Sequence, residues 1–192
     1  TATLANGELI NIRMKKLAGN SSPSISSNNN TITAIEHSLE EPDKTVKNNN
    51  NSYVSSPDSD YPVYMWYEDG KIKWWTEAKV VKTNRVSSSL FSWLSKLSNI
   101  DSLAEWDTSD TEAFGSTFEG CDELTNIDAL QNWNTSKLTG LSNMFFYCKK
   151  LSNIDGLRNW DTSKVIYASS MFDHCEQLTS LDALGQWNTS NF

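Results

Sequence analysis

Apolar positions recur every 27 residues through the second half of the chain. Trp106, Trp133, Trp160 and Trp187 keep this interval. So do Leu97, Leu124, Leu151 and Leu178, then Ile100, Ile127, Ile154 and Leu181, then Leu103, Leu130, Leu157 and Leu184. Polar positions repeat in step: Asp101, Asp128, Asp155 and Asp182 hold one column, and each Trp is followed by Asp or Asn, then Thr, then Ser. A fixed period of this size predicts stacked repeats, each too small to bury its apolar face alone. Within one copy, Leu124 to Leu130 predicts a short strand. Leu138, Leu141, Phe145 and Cys148, spaced by three, four and three, predict a short helix or 3₁₀ segment. Stacking the copies turns the Trp, Leu and Phe columns into core ladders, with Phe91, Phe118, Phe145 and Phe172 in one of them.

The first half has no such period. Residues 4–18 carry an apolar stripe (Leu9, Ile10, Met14, Leu17) ending at Gly19, which predicts a helix. Residues 20–30 and 40–60 are rich in Ser, Asn and Pro and predict loops, the second of them mobile; Thr31–Ile35 predicts a short strand. Val63–Tyr67 and Ile72–Thr76 flank Asp69-Gly70, a pair that tolerates positive φ, and so predict a hairpin. Tyr64, Trp66, Tyr67, Trp74 and Trp75 crowd it. Two readings of these aromatics stay open: packing against the first repeat, or a ligand platform.

The pattern therefore predicts a right-handed α/β leucine-rich-repeat-like solenoid of 27-residue repeats over residues 86–192, about four copies and unfinished at the end. An N-terminal α+β cap domain would occupy residues 1–85. Stacked repeats offer a long surface for binding rather than a closed pocket for chemistry, so a non-catalytic role is expected.

Charge sharpens the choice of partner. Residues 1–85 hold 10 acidic and 10 basic side chains, and residues 86–192 hold 14 and 6, so the whole net charge of -8 lies on the repeats. Such a surface repels phosphate, which argues against nucleic acid and against a bare anionic membrane. No apolar run reaches membrane-spanning length, so no membrane insertion is expected.

Candidate chemistry is sparse. Cys121, Cys148 and Cys175 share one register and read as free buried thiols rather than a disulfide framework. No CxxC pair suggests zinc. His174 replaces Gly120 and Tyr147 of the sister copies, so the register does not demand a histidine, and it reads as a surface-turn residue. The Trp ladder reads as core. The ligand-binding candidates are Asp101, Asp128, Asp155 and Asp182, with Asn99, Asn126 and Asn153 two residues earlier on the same face. Strand alternation would point them away from the core. Either the Asp side chains serve the turn by accepting local hydrogen bonds, or they form a polar strip for a ligand or a divalent cation such as calcium.

Residues 178–190 read LTSLDALGQWNTS and follow MFDHC at 171–175, with Met144-Phe145 and Cys148 repeating the signature. These strings resemble the repeat of about 26 residues found in BspA-like leucine-rich-repeat bacterial surface proteins and in mycoplasma-type lipoproteins. The resemblance covers about residues 86–192. Leu17-Ala-Gly-Asn, PVYMWY at 62–67 and WWTEA at 74–78 are similar to leader regions of such proteins. The resemblance implies secretion, a bacterial cell-surface location, and adhesion to a host or microbial surface protein or glycan. A display stalk for another domain is the first alternative, and a carbohydrate-active enzyme a remote one. The resemblance brings no catalytic residues.

Overall fold

The structure is a computed structural model and describes residues 1–192. Over the repeats, the 27-residue period becomes a pile of similar turns. Alternate backbone N–H groups of one copy donate to carbonyls of the next: Phe114 to Gly140, Ser116 to Ser142, Phe118 to Met144 and Gly120 to Phe146, then Leu141 to Tyr167, Asn143 to Ser169, Phe145 to Met171 and Tyr147 to Asp173. Isolated parallel bridges mark the same seam at Val86, Ala113, Gly140 and Tyr167. Between bridges the backbone turns tightly. N–H groups bond carbonyls three residues back at Thr117–Phe114, Cys121–Phe118, Leu124–Cys121, Leu130–Ile127 and Trp133–Leu130. Short 3₁₀ turns occupy Asp101–Glu105, Asp128–Leu130, Asp155–Leu157 and Asp182–Leu184.

Side-chain ladders hold the copies together. Phe91, Phe118, Phe145 and Phe172 stack at 5.4, 5.6 and 5.7 Å between ring centroids. Trp133, Trp160 and Trp187 stack at 6.3 and 6.4 Å. Each of these indoles donates to a carbonyl of the previous 3₁₀ turn: Trp133 to Leu103, Trp160 to Leu130 and Trp187 to Leu157, all within 2.9 Å. Trp106 has no earlier turn to donate to, and its buried Nε1 lacks a hydrogen-bond partner. The edge of Trp74 meets it instead, 6.0 Å away. Trp106, Trp133 and Trp160 are buried, as a core ladder requires.

The N-terminal half supplies most of the regular structure. Strand β1 (Ala2–Thr3) precedes helix α1 (Gly7–Leu17), which is capped by the Asn6 side chain accepting from Leu9 N–H. Then come β2 (Ala34–His37), the single turn α2 (Lys44–Lys47), β3 (Tyr64–Glu68), β4 (Lys71–Trp75), β5 (Val81–Lys82) and, at the first copy, β6 (Trp106–Asp107). One three-stranded sheet runs β1-β5-β6, all parallel; the other runs β2-β4-β3, with the β3–β4 hairpin antiparallel and β2 parallel to β4. Asp69 and Gly70 both take positive φ at the hairpin tip, the geometry a two-residue loop needs. One cluster of buried side chains runs from Ala2 to Ala183, through Trp74 and the Phe ladder.

This is not the α/β leucine-rich-repeat-like solenoid with an α+β cap that the period suggests. The architecture has two three-stranded sheets and few helices, and no α-helix lies beyond Lys47. Inside one copy the expected strand at Leu124–Leu130 is a turn followed by 3₁₀ structure, and the expected short helix or 3₁₀ segment at Leu138–Cys148 is a run of three-residue turns that carries the bridges and the copy-to-copy hydrogen bonds. The apolar spacing of three arises from successive three-residue turns, not from helical pitch. The 40–60 stretch differs too: it holds α2, and Ser52, Val54 and Ser55 are buried, with Val54 bonded to Ala5 and Val63.

Candidate functional site

The Asp column sits where each copy enters its 3₁₀ turn. The side chain of Asn99 accepts from the backbone N–H of Asp101 at 3.0 Å. Asn126 accepts from Asp128 at 2.8 Å, and Asn153 from Asp155 at 2.8 Å. Ser180 does the same for Asp182 at 3.1 Å. The Asn residues are therefore turn formers, two residues ahead of the group they fix, as short amide side chains are suited to be. All four Asp residues are exposed at the first position of their turns. The outward direction comes from 3₁₀ geometry and not from strand alternation. Only Asp155 has an ion-pair partner, Arg158 at 2.7 Å. The carboxylates of Asp101, Asp128 and Asp182 accept no hydrogen bond from the protein and face solvent. Such a column can accept hydrogen bonds from hydroxyls or pair with basic groups. No group of three or more His, Cys, Asp or Glu side chains is gathered closely enough to hold a metal ion.

The N-terminal end of the column is built by two elements. Ile35, Glu36 and His37 of β2 and Asn99, Asp101, Ser102 and Glu105 of the first turn line a cleft of about 290 Å³. His37 Nδ1 lies 2.6 Å from Glu105, and its ring stacks on Trp74 at 3.9 Å and 3°. Trp74 donates to Ser102 Oγ at 3.2 Å, and Ser102 donates to the Ile35 carbonyl at 2.8 Å. Residues 68 apart are joined here, and no local sequence signal announces it.

A second ladder crosses the copies on another face. Lys82 and Lys137 both pair with Asp110 at 2.6 Å, Lys149 with Asp122 at 3.2 Å, and Lys150 with Glu123 at 2.7 Å. The two lysines hold the Asp110 carboxyl down to about 2 by hydrogen bonding and charge. These acids are occupied, whereas most of the 3₁₀-turn acids are not.

The thiols are poor nucleophiles. Cys121, Cys148 and Cys175 are free and buried, and donate to the carbonyls of Phe91, Phe118 and Phe145. Burial pushes the first two far up and Cys175 to about 11. His174 is exposed, with positive φ, in register with Trp93, Gly120 and Tyr147. It stacks on Tyr147 at 4.2 Å and 6°, so the two rings cover each other's faces. Gly120 is required where it stands: a Cβ there would lie 2.4 Å from the Trp93 ring.

Fold and site together define a small repeat protein whose in-register turns display exposed acids, three of the four unpaired. The chain belongs to the family described as "Mycoplasma protein of unknown function, DUF285", which matches residues 84–192. Membership fits a mycoplasma-type surface-repeat protein, and it lends no support to the narrower BspA-like leucine-rich-repeat assignment. No curated protein and no solved structure matches the chain. No helix is long and apolar enough to cross a membrane.

Proposed function

We propose that this protein is a non-catalytic binding module of a bacterial cell surface. It adheres to a host or microbial surface protein or glycan through the 3₁₀-turn face of its repeats. The observation that carries the reading is the Asp column: Asp101, Asp128, Asp155 and Asp182 are exposed in one register. Each backbone is fixed by Asn99, Asn126, Asn153 or Ser180, and only Asp155 of the four carboxylates is engaged by the fold, through Arg158. A periodic row of acceptors suits an extended ligand that repeats hydroxyl or basic groups. Geometry set in advance lowers the ordering cost of binding.

The test is to present purified protein to immobilised extracellular-matrix proteins and mucosal glycans, with calcium and with a chelator. Saturable binding to at least one partner is expected. Binding to none in either condition would overturn the reading and favour a display stalk.

A further inference from the structure

The sheet β2-β4-β3 has two unlike faces. Register places Met65 beside Trp74 and Ile35 beside Ile72 on the inner face, and all four are buried. The outer face carries Tyr64 opposite Trp75, and Trp66 in a row with Lys73 and Glu36. Tyr64, Trp66 and Trp75 are half-buried, yet they belong neither to the core cluster nor to the side chains packed on it, whereas Tyr67 on the inner side does. No other aromatic ring lies against Trp66 or Trp75. Trp66 in particular has no ring or cation against it, unlike Tyr147 and His174, which cover each other.

The charges around these rings are mostly paired. Glu36 pairs with Lys71 at 2.6 Å, Lys73 pairs with Glu68, and Lys47 of α2 pairs with Glu41. Lys47 Nζ stands over the Trp75 ring at 5.5 Å and over the Tyr64 ring at 6.0 Å, so this lysine covers part of that end of the surface and a sugar at Trp75 has to share the ring with it or displace it. The three paired charges cancel, and Asp69 beside Lys73 and Glu77 beside Lys47 add a slight negative field, which disfavours a polyanion or an anionic lipid head. The interleaved charges also break up the continuous apolar patch that a membrane or protein interface would need.

From this we infer that the outer face of β2-β4-β3 is a separate binding site for a neutral oligosaccharide. A pyranose has an apolar C–H face and a rim of hydroxyls. The part-exposed ring of Trp66 accepts the first, and the Glu36–Lys71 and Lys73–Glu68 pairs offer acceptors and donors to the second. Trp66 and Trp75 are diagonal neighbours across the hairpin, about 7–8 Å apart, so consecutive sugar units can engage both. The site is independent of the Asp column and does not rest on it.

The test is native electrophoresis of the full chain through gels containing soluble neutral glucan, mannan, galactan or xylan, with titration by chitotetraose. At least one neutral glycan is expected to bind. Trp66→Ala and Trp75→Ala should each weaken it by roughly tenfold, the size of one lost aromatic contact, with no loss of the folded circular-dichroism signal. Binding should survive in the Asp128→Asn/Asp155→Asn variant. Trp66→Leu, which keeps apolar volume but loses the ring, replaces Trp66→Ala if that variant does not fold. No neutral glycan bound, binding unaltered by loss of either ring, or binding confined to anionic polymers would each overturn the inference. Loss in the Asp variant alone would overturn it while leaving the repeat-face reading intact.

Discussion

At the residue scale, the repeated Trp is the strongest single anchor of the stack. Trp133 is buried, donates to the Leu103 carbonyl, and lies between the Phe114 and Trp160 rings at 4.8 and 6.3 Å. Trp133→Ala removes the packing, opens a cavity and deletes the indole hydrogen bond to that carbonyl, which keeps only the Trp106 N–H. It is expected to cost about 3–5 kcal/mol, enough to broaden or abolish cooperative unfolding in a denaturant titration. A variant with an unchanged midpoint would refute the ladder's role. The thiols give a second prediction. Native protein should resist a thiol reagent at neutral pH, with Cys175 reacting first because it retains slight exposure at 8% while Cys121 and Cys148 have none. Simultaneous reaction of all three would contradict their stacked burial.

Lys15 gives a pH-dependent prediction. Its side chain is wholly buried, and its Nζ donates to the carbonyls of Ser24 and Ile25 at 2.9 and 3.0 Å, with no carboxylate partner. Burial lowers its pKa from 10.5 to about 8. Below about pH 8 both folded and unfolded chains carry the proton, and folding bears the full cost of burying the charge. As pH rises above that value the folded chain releases the proton while the unfolded chain keeps it, so stability rises. Above pH 9.0 the unfolded thiols ionise while the buried ones do not, which opposes this gain. Between about pH 8 and 9 wild type should therefore gain up to ~1 kcal/mol relative to Lys15→Met in urea unfolding. Parallel curves for the two proteins would contradict a charged, buried Lys15.

At the scale of elements, legibility depended on whether the signal was local. The hairpin was readable because Asp69-Gly70 dictates its own turn, and α1 because its apolar stripe ends at a glycine. The Phe, Trp and Cys ladders were readable because one period places identical side chains over one another. The elements inside each copy were not. Spacings of three and four suit both a helix and a run of three-residue turns, and periodicity alone cannot separate them. The strand signal at Leu124–Leu130 failed for a related reason. Asn126 bonds the Asp128 backbone and commits the segment to a turn, and local side-chain bonding of this kind competes with strand pairing.

At the scale of the whole molecule, the sequence showed that copies repeat and stack but misjudged what they build. Two small sheets and tight turns, joined by one core, replace the expected α/β array. For the candidate site, exposure of the Asp column was legible and its cause was not. The joining of the first 3₁₀ turn to β2 through the His37–Glu105 pair lay beyond any local pattern. The central claim is that core and surface are separate: ladders hold the stack, and the exposed acids of the column, of which only Asp155 has a partner, are there to bind. The most direct test is the affinity of Asp128→Asn/Asp155→Asn for an immobilised matrix protein or glycan that captures Trp66→Ala as well as it captures wild type, measured beside its thermal midpoint. The account predicts affinity weakened by at least roughly tenfold, the scale of two lost charge-assisted hydrogen bonds, with the midpoint unchanged within a few degrees. Unchanged affinity, or a collapse of the fold, would contradict it.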